Sequence, residues 1–184
     1  MVTGLQASGK TTVGRLLAAA LDGPAPAAWF DGDLLYRMVV RGRAEMTPDP
    51  SPEARRQLRL RYEGAANLAQ LYAGNGFDFV YSDIIMGPNA ERWLDSISGA
   101  DVHLVVLTPS LATIAERERG RGKASYRDWY APGGTLEDAI ASMARTLDGT
   151  PPTGLWLDTS GLTPEETVSE IVRDAMSSSR YRRS

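Results

Sequence analysis

The chain has 184 residues with 20 Lys+Arg against 23 Asp+Glu, a net charge of −3, and no cysteine. That size favours one domain. The charge balance argues against a dedicated nucleic-acid or anionic-membrane binder. Disulfides, thiolate metal sites and cysteine nucleophiles are excluded, and a single histidine, His103, excludes multi-histidine metal centres. No apolar run approaches the roughly 20 residues of a membrane span, and residues 1–4 lack the basic start and apolar stretch of a signal peptide. The expectation is a soluble, cytoplasmic, single-domain protein, monomeric or homodimeric, spanning residues 1–176 with a polar, frayed tail over 177–184.

Val2 and Thr3 read as the end of a first strand running into Gly4. Only three residues precede Gly4, fewer than the about five of a usual strand, so the expectation is a late-assigned or trimmed start. Apolar residues at Val13, Leu16, Leu17, Ala20 and Leu21 predict a helix over 12–21, stopped by Asp22-Gly23-Pro24. Trp29-Phe30 ends a second strand and delivers Asp31-Gly32-Asp33; residues 34–40 read as helix. Ser51 caps a helix with Pro52 in its first turn, and residues 53–73 favour one long helix. Residues 77–81 form a strand ending at Ser82-Asp83, followed by a short helix over 89–97. The clearest strand is 102–107, apolar on both faces as in a parallel sheet. Helices are expected over 110–118 and 135–146, a last strand over 155–158, and a final helix from Thr163-Pro164 to Met176. Strands alternating with helices predict an α/β fold: a doubly wound, mainly parallel five-stranded sheet with helices on both faces and ligands at the carboxyl ends of the strands.

Gly4, Gly9, Lys10 and Thr11 stand in the phosphate-loop pattern G-x-x-x-x-G-K-[ST]. The glycines let the backbone curl so that successive N–H groups face an anion, and the helix that follows offers its positive N-terminus. Gly4, Gln6, Ala7, Ser8, Gly9, Lys10, Thr11 and Thr12 are therefore the nucleotide-binding candidates. Lys10 reaches the outer phosphates and the Thr11 hydroxyl suits magnesium. No guanine signature Asn-Lys-x-Asp occurs, and acids end the second and third strands, where a phosphoryl acceptor would sit. Arg37, Arg41 and Arg43 either grip an anionic acceptor or form a solvated face.

The phosphate loop, Asp31 to Met38, Ser82 to Pro88, Arg117 to Arg121 and Trp156 to Ser160 together resemble the phosphate-loop small-molecule phosphotransferases. This is the chloramphenicol phosphotransferase-like group, with gluconate kinase and adenylylsulfate kinase as wider relatives. The resemblance implies a nucleotide-kinase-like fold and an ATP- and Mg2+-dependent transfer of the terminal phosphate to a hydroxyl of a small molecule: an antibiotic, a sugar or a related metabolite. It implies Asp33 as general base, with Asp31 and Asp83 on the acceptor side and Asp83 also at the metal with Thr11; Arg37 is the acceptor candidate among the three arginines above. It also implies a lid around 117–134 whose Arg117 and Arg121 neutralise phosphate charge, and a loop at 158–161 beside the adenine. Ser82 departs from the pattern, which has a second aspartate there. Asp31, Asp33 and Asp83 each also suit a helix cap. The alternative function is a nucleotide-binding regulatory ATPase that switches a protein partner.

Overall fold

The computed structural model describes residues 1–122, 124–175 and 179–181. The expectations for Lys123, for Met176 as the end of the last helix, and for tail residues 177, 178 and 182–184 lie outside the described residues.

Five short strands form one parallel sheet: β1 (Val2–Gly4), β2 (Ala27–Asp31), β3 (Asp78–Ser82), β4 (Val105–Leu107) and β5 (Leu155–Leu157), in the order β2-β3-β1-β4-β5. Val2 pairs with Ser82 on one side and Val105 on the other, so β1 is central and Gly4 emerges mid-sheet. Each crossover is a helix, as parallel neighbours require. The helices are α1 (Lys10–Ala20), α2 (Asp33–Arg37), α3 (Pro52–Gly74), α4 (Pro88–Ser96), α5 (Leu111–Arg121), α6 (Leu136–Ala144) and α7 (Pro164–Ala175). Among the described residues, no helix is long and apolar enough to cross a membrane.

The two faces of the sheet carry separate cores. Val13, Leu17 and Ala18 of α1 pack with Val168 and Ile171 of α7 against Val2, Val80, Val105 and Leu107. Ala65, Ala66 and Ala69 of α3 pack with Trp93 and Leu94 of α4 against Tyr81, Leu104 and Val106. A third cluster joins Leu5 and Ala7 of the loop after β1 to Ile114 and Ala115 of α5 and Ile140 and Met143 of α6. The phosphate loop is therefore backed by its own core.

Three expectations change. The strand over 102–107 narrows to Val105–Leu107, because its first half pairs with the chain's end. Leu104 N–H donates to Ser179 O at 2.8 Å, Tyr181 N–H donates to Val102 O at 2.8 Å, and His103 and Arg180 form an antiparallel bridge. Residues 179–181 are thus not frayed: Ser179 and Tyr181 are buried, the latter inside the core under α4. The helix expected over 34–40 is also shorter, ending at Arg37.

Gly14 fixes how closely α1 lies on β3. A Cβ there would sit 1.9 Å from Ser82 Oγ, and that hydroxyl is immobilised by accepting from Trp29 Nε1 (3.1 Å) and donating to Lys10 O (3.1 Å). Gly14→Ala is expected to lower unfolding stability by about 1–3 kcal/mol in urea titrations, the usual cost of overpacking.

Candidate phosphate-loop site

Gly4 leaves β1 at φ 147°, and a Cβ on it would lie 2.6 Å from Leu107 O and 2.8 Å from Ser8 Oγ, so only glycine fits that turn. Ser8 N–H closes the loop onto Leu5 O at 3.2 Å. Ala7 stands at φ 60° and Gly9 at φ 97°, and a Cβ on Gly9 would meet nothing within 4 Å. The loop is therefore open at its mouth, directly before the N-terminus of α1. Lys10 is half-buried, with Nζ donating to Leu5 O at 3.2 Å. Burial pulls its ammonium down to about 8, with Asp33 the main opposing charge, followed by repulsion from Arg121 and Arg61 and attraction from Asp31. Lys10 thus feels both ends of the site. Gln6 is half-buried, and Thr11 and Thr12 are exposed on the first turn of α1.

The acids differ sharply. Asp31 Oδ1 accepts the Asp33 N–H at 3.1 Å and so serves the turn into α2. Asp33 stands on the first turn of α2 with its side chain 56% exposed, 3.8 Å from Arg37 and 3.9 Å from Arg61. Asp83 is buried and fully engaged. Arg61 Nε donates to its Oδ2 at 2.8 Å while Arg61 Nη2 pairs with Oδ1, the Tyr81 hydroxyl donates to Oδ2 at 2.5 Å, and Ile84 N–H donates to Oδ1 at 2.7 Å. Gly32 allows this proximity, since a Cβ there would lie 2.1 Å from Asp83 Oδ2. Arg61, on α3, was not distinguishable in the sequence among the many arginines of that helix. It is only 14% exposed and lies between Asp83 and Asp33. Its guanidinium also lies 6.0 Å from the centre of the Tyr36 ring, which carries Arg43 at 4.7 Å.

The basic segment expected as a lid is helical to Arg121. Arg117 turns inward: Nη1 donates to Ser8 O at 3.3 Å and Nη2 to Thr159 O at 2.8 Å. Arg121 is exposed at the end of α5 and makes no hydrogen bond or ion pair among the described residues, yet its charge reaches Lys10. Tyr126, another residue the sequence did not single out, is buried and donates to Gln6 O at 2.8 Å, and burial raises its phenol well above the ordinary value. Buried Glu118 accepts Ser125 N–H at 2.6 Å. In the 158–161 turn, Asp158 Oδ1 accepts from Ser160 N–H at 2.9 Å, and Ser160 Oγ accepts from Ser110 N–H at 2.8 Å. Among the described residues Arg37 pairs with Asp33 alone, and Arg41 is exposed.

Residues 1–146 match the AAA_33 family, described as an AAA domain. The chain belongs to the AAA_33 family. No curated protein matches the sequence. The structure is similar to that of APE1195, with 28% identity, 94% of this chain and 90% of that chain covered, and a TM-score of 0.65. It is similar to the tunicamycin resistance protein of Deinococcus radiodurans (19% identity, 98% and 96% covered, TM-score 0.60). It is also similar to the APS kinase of Mycobacterium tuberculosis solved with AMPPNP and APS (18% identity, 96% and 95% covered, TM-score 0.64). The resemblance read from the sequence holds for family and fold: this AAA_33 chain has the parallel phosphate-loop fold that kinases use.

The loop of this AAA_33 chain fits a nucleotide phosphate. Among the described residues the N–H groups of Ala7 and Gly9 have no partner, Lys10 stands at the loop, and the α1 N-terminus opens onto it. The exposed Thr11 hydroxyl on the first turn of α1 would suit magnesium, an ion that usually takes few protein ligands. Asp83, expected at the metal and the acceptor, has both oxygens taken by Arg61, Tyr81 and Ile84, and among the described residues no three acids or histidines cluster around a cation site.

Proposed function

We propose that this protein is an ATP-dependent phosphotransferase that moves the terminal phosphate to a hydroxyl of a small molecule such as an antibiotic, a sugar or a related metabolite. The observation that carries the reading is Asp33: an exposed carboxylate at the edge of the phosphate loop, electrostatically coupled to Lys10 and not engaged in a helix cap. The loop follows β1 and Asp33 follows β2, with β3 between them, so two strand spacings, about 10 Å, separate their starting points. That gap accommodates the reach of Lys10, a terminal phosphate and an acceptor oxygen in line. In the proposed reaction the acceptor oxygen bonds to the terminal phosphorus, the bond to the leaving ADP oxygen breaks, and the hydroxyl proton passes to Asp33. Magnesium, held through Thr11, would neutralise phosphate charge. The tunicamycin resistance protein and the APS kinase, both of the same fold, support a small-molecule acceptor.

Arg121, which makes no hydrogen bond or ion pair among the described residues and whose charge reaches Lys10, would close on developing phosphate charge. Arg121→Ala is expected to reduce kcat by about 10-fold or more while changing ATP affinity little, the pattern of an interaction made mainly in the transition state. Equal losses in both would mark it as a ground-state binding residue.

The reading is tested by ADP release measured with and without acceptors. Release should depend on a hydroxylated compound and should vanish with its deoxy or O-methyl counterpart. ADP formed at one rate regardless of acceptor would favour the regulatory ATPase instead.

A further inference from the structure

The phosphate loop is held from behind at two carbonyls. Tyr126 is buried in the cluster containing Leu5, Ala7, Met86 and Ile140, and its hydroxyl donates to Gln6 O at 2.8 Å. Arg117 donates to Ser8 O at 3.3 Å and braces itself on Thr159 O at 2.8 Å. The described peptide bonds are all trans. In a planar trans peptide the C=O and the following N–H point in opposite directions. A Gln6 carbonyl turned back to Tyr126 therefore turns the Ala7 N–H away from Tyr126. A Ser8 carbonyl turned back to Arg117 does the same for the Gly9 N–H.

Neither of these N–H groups has a hydrogen-bond partner among the described residues, although Ala7 is only 4% exposed. Buried main-chain donors are nearly always satisfied, so the free Ala7 N–H, with the half-buried Gly9 N–H two positions on, marks a place where a ligand acceptor belongs. Ala7 is also the single non-glycine at positive φ among the described residues, a conformation that persists only where neighbours over-determine it. The Tyr126 hydroxyl on the preceding carbonyl supplies that constraint.

We infer that Tyr126 and Arg117 are positioning residues that aim the Ala7 and Gly9 N–H groups at the oxygens of a polyphosphate. This rests on the nucleotide-site reading above. Neither side chain touches the phosphate; each acts through one peptide plane. Affinity for the phosphate chain is thereby set from α5 and the segment that follows it.

Tyr126→Phe tests this, because it keeps the buried ring and removes only the hydroxyl. Calorimetry with ATP, inorganic tripolyphosphate and adenosine should show affinity for ATP and tripolyphosphate falling by one common factor, about 3- to 10-fold for the loss of one orienting hydrogen bond. Adenosine affinity should be unchanged. Unaltered tripolyphosphate affinity, or an equal loss for adenosine, would overturn the inference while leaving the nucleotide site standing. A wild-type protein that binds neither ATP nor tripolyphosphate would bring down the nucleotide-site reading, and the inference with it. A measurement that needs no variant is the amide spectrum of the wild type. On addition of tripolyphosphate the Ala7 and Gly9 amide protons should move downfield, while that of Val13, already bonded to Gly9 O, stays in place. Unmoved Ala7 and Gly9 signals would overturn it.

Discussion

Lys10→Met is expected to reduce phosphoryl transfer by about 10²–10³-fold, the scale of losing a preorganised group facing transition-state charge, and to raise the melting temperature of the ligand-free protein at neutral pH. Both effects come from one ammonium. Burial holds its pKa at about 8 against an ordinary 10.5, so the fold disfavours the charged form. The sign follows from linkage. Below about pH 8 the ammonium is charged in the folded and unfolded chains alike, and its burial destabilises the fold in full. Between 8 and 10.5 the folded protein releases the proton first and the disadvantage fades. The gap in melting temperature between Lys10→Met and wild type should accordingly be widest below pH 8 and close as pH rises towards 10.5. Triphosphate affinity of the wild type should weaken above about pH 8, whereas Lys10→Arg, which stays charged, should lack that inflection. Thermal shift and calorimetry across pH check both. A less stable Lys10→Met would mean that the bond from Nζ to Leu5 O matters more to the fold than the buried charge does.

Asp33→Asn is expected to slow transfer by about 10²-fold or more, the usual scale of a lost acid–base group, with ATP affinity near normal. The amide preserves the size of the side chain but removes its basicity. The surroundings separate this effect from a structural one. The Asp33 side chain is 56% exposed and its contacts with Arg37 and Arg61, at 3.8 and 3.9 Å, are long. Exposed pairs of that kind contribute little to stability. Asp31→Asn should do less, because Asp31 accepts a main-chain N–H in the α2 turn and an asparagine oxygen can do the same. If Asp31→Asn is the damaging change, the base has been assigned to the wrong acid.

The sequence made the parallel sheet and the phosphate loop legible because both rest on local patterns. The apolar run 105–107 is buried on both faces, as are residues 80–82 of β3, and the loop's glycines announce a backbone that no other residue fits. What stayed hidden depends on long-range pairing. The segment 102–104 reads as a continuation of β4, but its partner is 179–181, at the opposite end of the chain. Asp83 reads as a metal or acceptor ligand because it ends a strand. Its neutralisation by Arg61, 22 positions earlier, and by the Tyr81 hydroxyl becomes visible only when α3 lies on β3. Tyr126 sits in a stretch of Arg, Gly and Ser that reads as a solvated lid, and no periodicity marks it as core. Arg117 reads as a lid cation, and its guanidinium is directed at two main-chain carbonyls, those of Ser8 and Thr159.

The central claim is that a nucleotide seated on residues 4–11 gives its terminal phosphate to a hydroxyl in front of Asp33. The fate of that phosphate tests it most directly. The wild-type protein is incubated with γ-labelled ATP, magnesium and a panel of hydroxylated antibiotics, sugars and related metabolites, and the label is followed by phosphorus NMR and chromatography. The account expects the label in a phosphate monoester of one acceptor class, with Asp33→Asn forming that ester about 10²-fold more slowly. Label recovered only as inorganic phosphate across the panel, at a rate indifferent to Asp33→Asn, would contradict it.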